Sequence, residues 1–298
     1  MSDQTHPLLA PARHTRRPVV IGRFVRAASN SPLLRSPLFY VGCVPVVFWC
    51  LVAILAPLLT GYDPNAQDIA ALSQPEPSAL HLLGADQLGR DVWARIAFGA
   101  RSVLTIAPLS LLSSYAFGIV LGLASGYSNL IDRIVTKLCD VMLAFPVIVL
   151  YVVLITAIGP SFSNIIVAVT VSTSPAIARI VRGMVFDLKD REFVDAARIR
   201  NESSFYIMFF ELLPNMIVPL LVDFCLRMGY TIIKIGSLGF LGLGLPPPDP
   251  DWGGMVKEGV AFMLVWPHIS LMPCLAIASL VIGFNLVADA VASVARRA

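Results

Sequence analysis

The sequence predicts an all-α integral membrane protein with six transmembrane helices and both termini in the cytoplasm. Three observations predict it. Of 298 residues, 57% are hydrophobic and only 14% charged, with a mean hydropathy of +0.78; an ordinary soluble domain is about 45–50% apolar and about 25% charged. The apolar residues come in long unbroken runs rather than in alternation, which suits spanning helices and not a barrel. Basic residues, finally, gather on alternate connections. A soluble fold of 32.2 kDa could not hide this much apolar surface behind so few charges. A disordered chain, a secreted disulfide scaffold and a cytosolic enzyme are excluded.

The elements follow in order. Residues 1–37 form a basic cytoplasmic tail. The first span, 38–60, lies in the charge-free stretch between Arg35 and Asp63. It is longer than the 7–15-residue core of a signal peptide and no A-x-A site follows, so it reads as a retained anchor. Residues 61–100 form an extracytoplasmic loop. The second span lies between Arg101 and Asp132. The next uncharged stretch, Asp140 to Arg179, is interrupted by Gly159-Pro160-Ser161. About 20 residues cross a bilayer, so it holds two helices joined by a tight outer turn. The fifth span runs from about Pro214 to about Leu241 and the last from about His268 to about Ala292. Residues 101–292 are thus a five-span core that includes a cytoplasmic loop, 183–214, and residues 293–298 close the chain in the cytoplasm.

Direction comes from Lys and Arg. The tail carries Arg13, Arg16, Arg17, Arg23, Arg26 and Arg35, and the short loop after span two carries Arg133 and Lys137. The loop after span four has Arg179, Arg182, Lys189, Arg191, Arg198 and Arg200, and the C-terminus has Arg296 and Arg297. Sixteen of the 22 basic residues therefore share one side, the cytoplasm of a multi-pass protein in the plasma membrane. At about 1 kcal/mol per basic residue near the surface, the tail is drawn to anionic membrane lipid.

The five cysteines are scattered, mostly through apolar runs, and no C-x-x-C occurs, so they read as small hydrophobes with no metal among them. Asn201-Glu202-Ser203 fits a glycosylation acceptor but falls on the cytoplasmic side. No G-x-x-x-x-G-K-[ST] is present to cradle nucleotide phosphates. No nucleophile motif or acid–base cluster supports catalysis, so no catalytic residue is assigned, and nothing points to nucleic acid.

The inner loop from Asp187 to Asn215 changes character midway, from charged and small to apolar and aromatic. Asp187, Asp190 and Glu192 stand at its start and Arg198 and Arg200 further on, matching a helix macrodipole. Asn201 tolerates a left-handed cap, and Ser203 or Ser204 can cap a second short helix near Phe205. Pro214 lacks a backbone donor and marks the start of span five. The expectation is two short helices at right angles on the cytoplasmic surface, with Ala196 and Ala197 leaving room for another chain. A solvated charged helix is the alternative reading. Asp195-Ala196-Ala197, Asn201 and Leu213-Pro214 resemble the cytoplasmic loop of ABC importer permeases, Glu-Ala-Ala, three residues, Gly, then Leu-Pro about a dozen residues on. Asp stands for Glu here, and Asn for Gly. The resemblance implies that the loop inserts into a cleft of a separate ATPase subunit, with Asp195, Ala196, Ala197 and Asn201 at the contact and Phe205, Leu213 and Pro214 completing the coupling element.

On the other side, His81 to Leu104 reads HLLGADQLGRDVWARIAFGARSVL. Gly84 and Gly89 supply turns and Asp86 an Asx-turn. Asp91 can cap a helix and pair with Arg95 four residues on, while Trp93 suits an interfacial belt. By itself this is an amphipathic lead-in to span two. Leu83, Gly84, Asp86, Gly89, Arg90 and Asp91, with Arg95, Gly99, Ala100 and Arg101, nevertheless look very like one segment of the dipeptide, oligopeptide and nickel importer permeases, in their C-type (second) subunit. Leu238 to Met255 also resembles that family's outer loop, where Pro246, Pro247, Pro248 and Pro250 cannot be helical. That loop reads either as a rigid connector or as a lip near a docked binding protein.

Asp223, Arg227 and Lys234 interrupt span five. At 100° per residue they fall within about 40° of one another. A charge at the bilayer centre costs roughly 2.5–3.5 kcal/mol, so this face avoids lipid. Asp223 and Arg227 are spaced to pair, and Lys234 to snorkel outward. They line either a water-filled path for a zwitterion or an ion pair against a partner subunit.

Taken together, the resemblance implies a type I importer permease fold and a non-enzymatic transport subunit, with a di- or oligopeptide as cargo. Nickel chelate, glutathione or haem are the alternatives within the family. It implies a homologous permease as heterodimer partner, ABC ATPase subunits that bind ATP and Mg, and an extracytoplasmic substrate-binding protein. An autonomous ion-coupled carrier would need a selectivity filter or paired broken helices with midplane carboxylates, and the sequence offers neither.

Overall fold

The computed structural model describes residues 36–295; the arginines of the tail, Arg296 and Arg297 lie outside them. The described chain is almost wholly helical, with two isolated β-bridges in the outer loop. In order the helices are α1 (Pro37–Leu59), α2 (Ile69–Ser73), α3 (Val92–Tyr127), α4 (Asn129–Ala144), α5 (Val147–Ile158), α6 (Phe162–Leu188), α7 (Glu192–Ile199), α8 (Ser204–Phe240), α9 (Trp252–Val260) and α10 (His268–Ala295). Five of them, α1, α3, α6, α8 and α10, are long and apolar enough to cross a bilayer. A sixth crossing exists only if α4 and α5 together form one.

That pair departs from the expected straight third span. α5 has 12 residues, about 18 Å of rise against a hydrocarbon core of about 30 Å, and meets α4 at 95°. The cause is Phe145-Pro146: proline forces the residue before it out of the helical region, and Phe145 is extended with ψ 139°. The pair is therefore either one broken span or a re-entrant element. The cytoplasmic loop expected around Arg133 and Lys137 is likewise helical. α4 turns Asp132 and Asp140 toward Arg182 and Arg179 of α6, and leaves Leu130, Ile134, Leu138 and Val141 exposed. The second span also starts earlier than Arg101, because Asp91 caps α3 through the Ala94 N–H.

Close packing organises the bundle. Gly118, Gly122 and Gly126 recur every four residues on α3 and let α6 approach. A Cβ at Gly118 would sit 2.7 Å from Ile177 Cβ, and one at Gly126 would sit 2.6 Å from Val185 Cβ. Small residues at this spacing let membrane helices approach backbone to backbone. α1 lies at the edge of the bundle, where Gly42 and Gly283 let it cross α10. Its Trp49 donates to Ser279 Oγ at 2.9 Å and meets the Trp252 ring at 4.9 Å.

A further correction concerns the inner loop. Pro214 does not begin the fifth span; one helix runs from Ser204 to Phe240. A π-helical stretch, Ile207–Leu212, precedes the proline and sends the Leu213 N–H to Met208 O. Widening that turn accommodates a residue with no N–H whose ring crowds the carbonyl four residues back.

Candidate functional site

Three clusters hold the residues singled out in the sequence. The first is the inner loop. α7 ends in a Schellman arrangement, with the Glu202 N–H bonded to Ala197 O at 3.2 Å and the Asn201 N–H to Arg198 O at 2.9 Å. Asn201 occupies the left-handed position, φ 58°. Ser203 Oγ accepts from the Tyr206 N–H at 3.2 Å and caps α8. Arg200 reaches Glu211 at 2.8 Å and ties the two helices together. Asp195, Ala196 and Phe205 are exposed; Leu213 and Pro214 are half-buried. Ala197 is not at a free surface. It is 0% exposed and belongs to the buried apolar core of its own chain, as do Val194, Ile207 and Leu212. Exposed instead are Ile199, at 86%, and, on α8, Phe205 and Phe210. Exposed aliphatic and aromatic side chains next to charge mark a protein contact or a membrane surface. Sequence reading missed Ile199 because nothing local fixes which face of an eight-residue helix is covered.

The second cluster is the outer loop and the start of α3. Gly84 and Gly89 have φ of 79° and 72°, and Asp86 Oδ1 accepts from the Leu88 N–H at 2.9 Å in an Asx-turn. Asp86 is 2% exposed. Its Oδ2 accepts from Arg90 Nε and from Arg95 at 2.6 Å each, and both arginines also reach Glu258 of α9, at 2.9 and 2.8 Å. The expected Asp91–Arg95 pair is not formed. Asp91 turns to the α3 N-terminus and to His81 Nδ1 at 2.8 Å, while Arg95 turns to Asp86 and Glu258. Asp68 closes the other side of His81 at 3.4 Å, and the Tyr62 ring lies over it at 4.9 Å. Burial opposes a charged imidazole, but the hydrogen bonds and charges of Asp91 and Asp68 outweigh it and hold the His81 pKa above its ordinary value. The Asp68 carboxyl is held low by the Ala70 N–H and then by His81. Glu258 and His81 carried no sequence signal, since their partners are fixed only by the fold.

The third cluster lies within α8. Arg227 Nε donates to Asp223 Oδ2 at 2.7 Å, and Tyr115 of α3 donates to the same oxygen at 2.5 Å. Lys234 is half-buried two turns further on. Tyr115 is the addition here, and its ring packs on Phe224 at 5.2 Å. Among the described residues, no three His, Cys, Asp or Glu side chains are placed to hold a metal ion.

Comparison with known proteins agrees with this architecture. Residues 115–297, more than half the chain, match the family model described as binding-protein-dependent transport system inner membrane component, and residues 31–75 match the N-terminal transmembrane domain of oligopeptide transport permease C. The chain is 38% identical over 254 residues to the glutathione transport system permease protein of Pectobacterium atrosepticum, covering 85% of this chain and 82% of the relative. It is 36% identical over 258 residues to the dipeptide transport system permease protein of Alkalihalophilus pseudofirmus, covering 86% and 84%. A putative peptide transport system permease protein of Brucella suis is 35% identical over 269 residues, 90% of each chain.

Proposed function

The chain belongs to the family of binding-protein-dependent transport system inner membrane components, and on that premise we propose that it moves di- or oligopeptides as the C-type permease of an ATP-driven importer. It is a permease subunit of an ABC importer and a multi-pass protein of the inner membrane. Its partners follow the pattern of that family: a second permease, ATPase subunits and an extracytoplasmic binding protein. The side that collects most of the basic residues is the cytoplasm.

ATP and Mg are bound by the partner ATPase. The coupling surface is the exposed side of α7 and the first turns of α8: Asp195, Ala196, Ile199 and Phe205, with Asn201 setting the angle between the two helices. Leu213 and Pro214 end the π-helical turn behind it. The observation that carries this assignment is that these side chains stand exposed on a loop whose own fold is already closed by the Schellman turn and the Arg200–Glu211 pair. Closure of the ATPase then pulls on α6 and α8, which flank the loop. Asp223, Arg227 and Lys234, joined by Tyr115, line the path, where Asp223 and Arg227 can meet the ammonium and carboxylate of a zwitterionic peptide. Glutathione, itself a short peptide, is the second reading, favoured by the similarity at 38%.

Reconstitution tests the proposal. Proteoliposomes holding both permeases, the ATPase subunits and the binding protein should take up labelled dipeptide or glutathione only with ATP. Uptake by this chain without any ATPase would refute it.

A further inference from the structure

Asp251 stands apart from everything used so far. It is 7% exposed and precedes α9, where its carboxylate accepts from the Gly253 N–H at 3.3 Å and the Gly254 N–H at 3.1 Å. It sits in a seat made of glycine: a Cβ at Gly239, at the end of α8, or at Gly244 would overlap Asp251 Oδ2. Beside it is a cavity of about 40 Å³ lined by Arg90, Arg95, Asp249, Asp251, Gly254 and Glu258. Arg95 is 4% exposed and its Nε has no partner there. A buried donor without a partner beside a space large enough for water points to solvent held next to this carboxylate.

We propose that Asp251 is a proton-binding site whose occupancy fastens α9 against the outer ends of α8 and α3. The charged groups facing it favour such a role. From α3 and its lead-in come Arg95 and Arg90; from α9 comes Glu258; from the proline-rich loop comes Asp249. The end of α8, Gly236 to Phe240, offers no titratable group. Both arginines are already engaged by Asp86 and Glu258. Burial pushes the Asp251 carboxyl up to about 6, against the pull of the Gly254 and Gly253 N–H groups and of Arg95, with Glu258 adding to the rise.

The sign follows from the two positions of the helix. With α9 seated, Asp251 holds its proton up to about pH 6; with α9 lifted into water it holds it only to the ordinary carboxylate range, about 3.9. Acid therefore favours the seated state, by up to roughly 100-fold across that window. Neutral pH leaves a charge in the glycine seat and loosens α9. The outer end of the permease is freest to move at neutral pH and is fastened by acid.

Hydrogen exchange on the reconstituted complex, corrected for intrinsic rates, tests this on Gly253–Val260. Wild type should show about sixfold greater protection at pH 5.2 than at pH 7.2, and Asp249→Asn should keep that dependence. Asp251→Asn, a mimic of the protonated acid, should be protected equally at both. A wild-type response that is flat or reversed overturns the proposal without any variant. So does an Asp251→Asn protein that keeps the wild-type dependence. Infrared difference spectra across pH 6 should show a buried carboxyl losing its proton; their absence counts against the site.

Discussion

The two ends of this permease subunit use charge in opposite ways. At the outer end Asp86, Arg90 and Arg95 are withdrawn from water and meet Glu258 from a helix more than 160 residues away. At the inner loop Asp195–Arg198 is an exposed surface pair at 2.9 Å, one residue before the exposed Ile199. Buried pairs punish the loss of one member severely, whereas exposed pairs contribute little. The outer end is thus finished within the chain, while the inner end keeps its fold with backbone caps and leaves its side chains for something else.

The sharpest way to break this comparison is at the outer end. Arg95→Met removes one of the two cations on Asp86 and should cost about 3 kcal/mol or more, read as a fall in the thermal unfolding midpoint of the solubilised protein. An unchanged midpoint would mean the network is ornamental. At the inner loop the expectation is reversed. Ala196→Arg should leave the midpoint within about 0.5 kcal/mol, as exposed substitutions do. It should nevertheless reduce ATP-dependent uptake and ATPase co-purification by roughly 30-fold or more, as loss of an interface hot spot does. Normal assembly would take Ala196 out of the contact.

Asn201→Ala should cost about 1 kcal/mol, since alanine resists the left-handed region, and Asn201→Gly should restore or improve on wild type. If both behave alike, the turn is not limiting. His81 adds a pH signature confined to the outer end. Its pKa is raised, so its contribution is complete below about pH 6.5 and fades as pH climbs past the higher folded value. The unfolding midpoint should fall over that interval in wild type and stay level in His81→Gln. Smallest of all, Arg198→Ala should change stability by less than about 0.5 kcal/mol.

What could be read in the sequence divides along a physical line. Gly84, Gly89, the Asx-turn at Asp86, the left-handed Asn201 and the Ser203 cap depend on backbone rules within a few residues, and each stands where it was expected. The partners of Arg95 and Asp91 depend on which distant segment comes alongside, and there the local i,i+4 rule chose the wrong carboxylate. Ala197 shows the same limit: small size marks a close approach but not whether the neighbour belongs to the same chain. Pro146 and Pro214 show that a proline in an apolar run announces a disturbance without its form. One bends a helix pair by 95° and the other widens a single helical turn. Gly118, Gly122 and Gly126 were printed plainly in the second span, yet only the fold says that α6 fills the space they leave.

That glycine ladder bears on where the bundle can give way. With no Cβ between them, α3 and α6 touch at three successive turns, Gly118, Gly122 and Gly126, and have little room to slide there. The inner end of α6 leads directly into α7 and the outer end of α3 is anchored by Asp91 and Arg95. Beyond the ladder each helix carries a proline, Pro108 in α3 and Pro175 in α6, so the close contact is confined to the half that leads into α7.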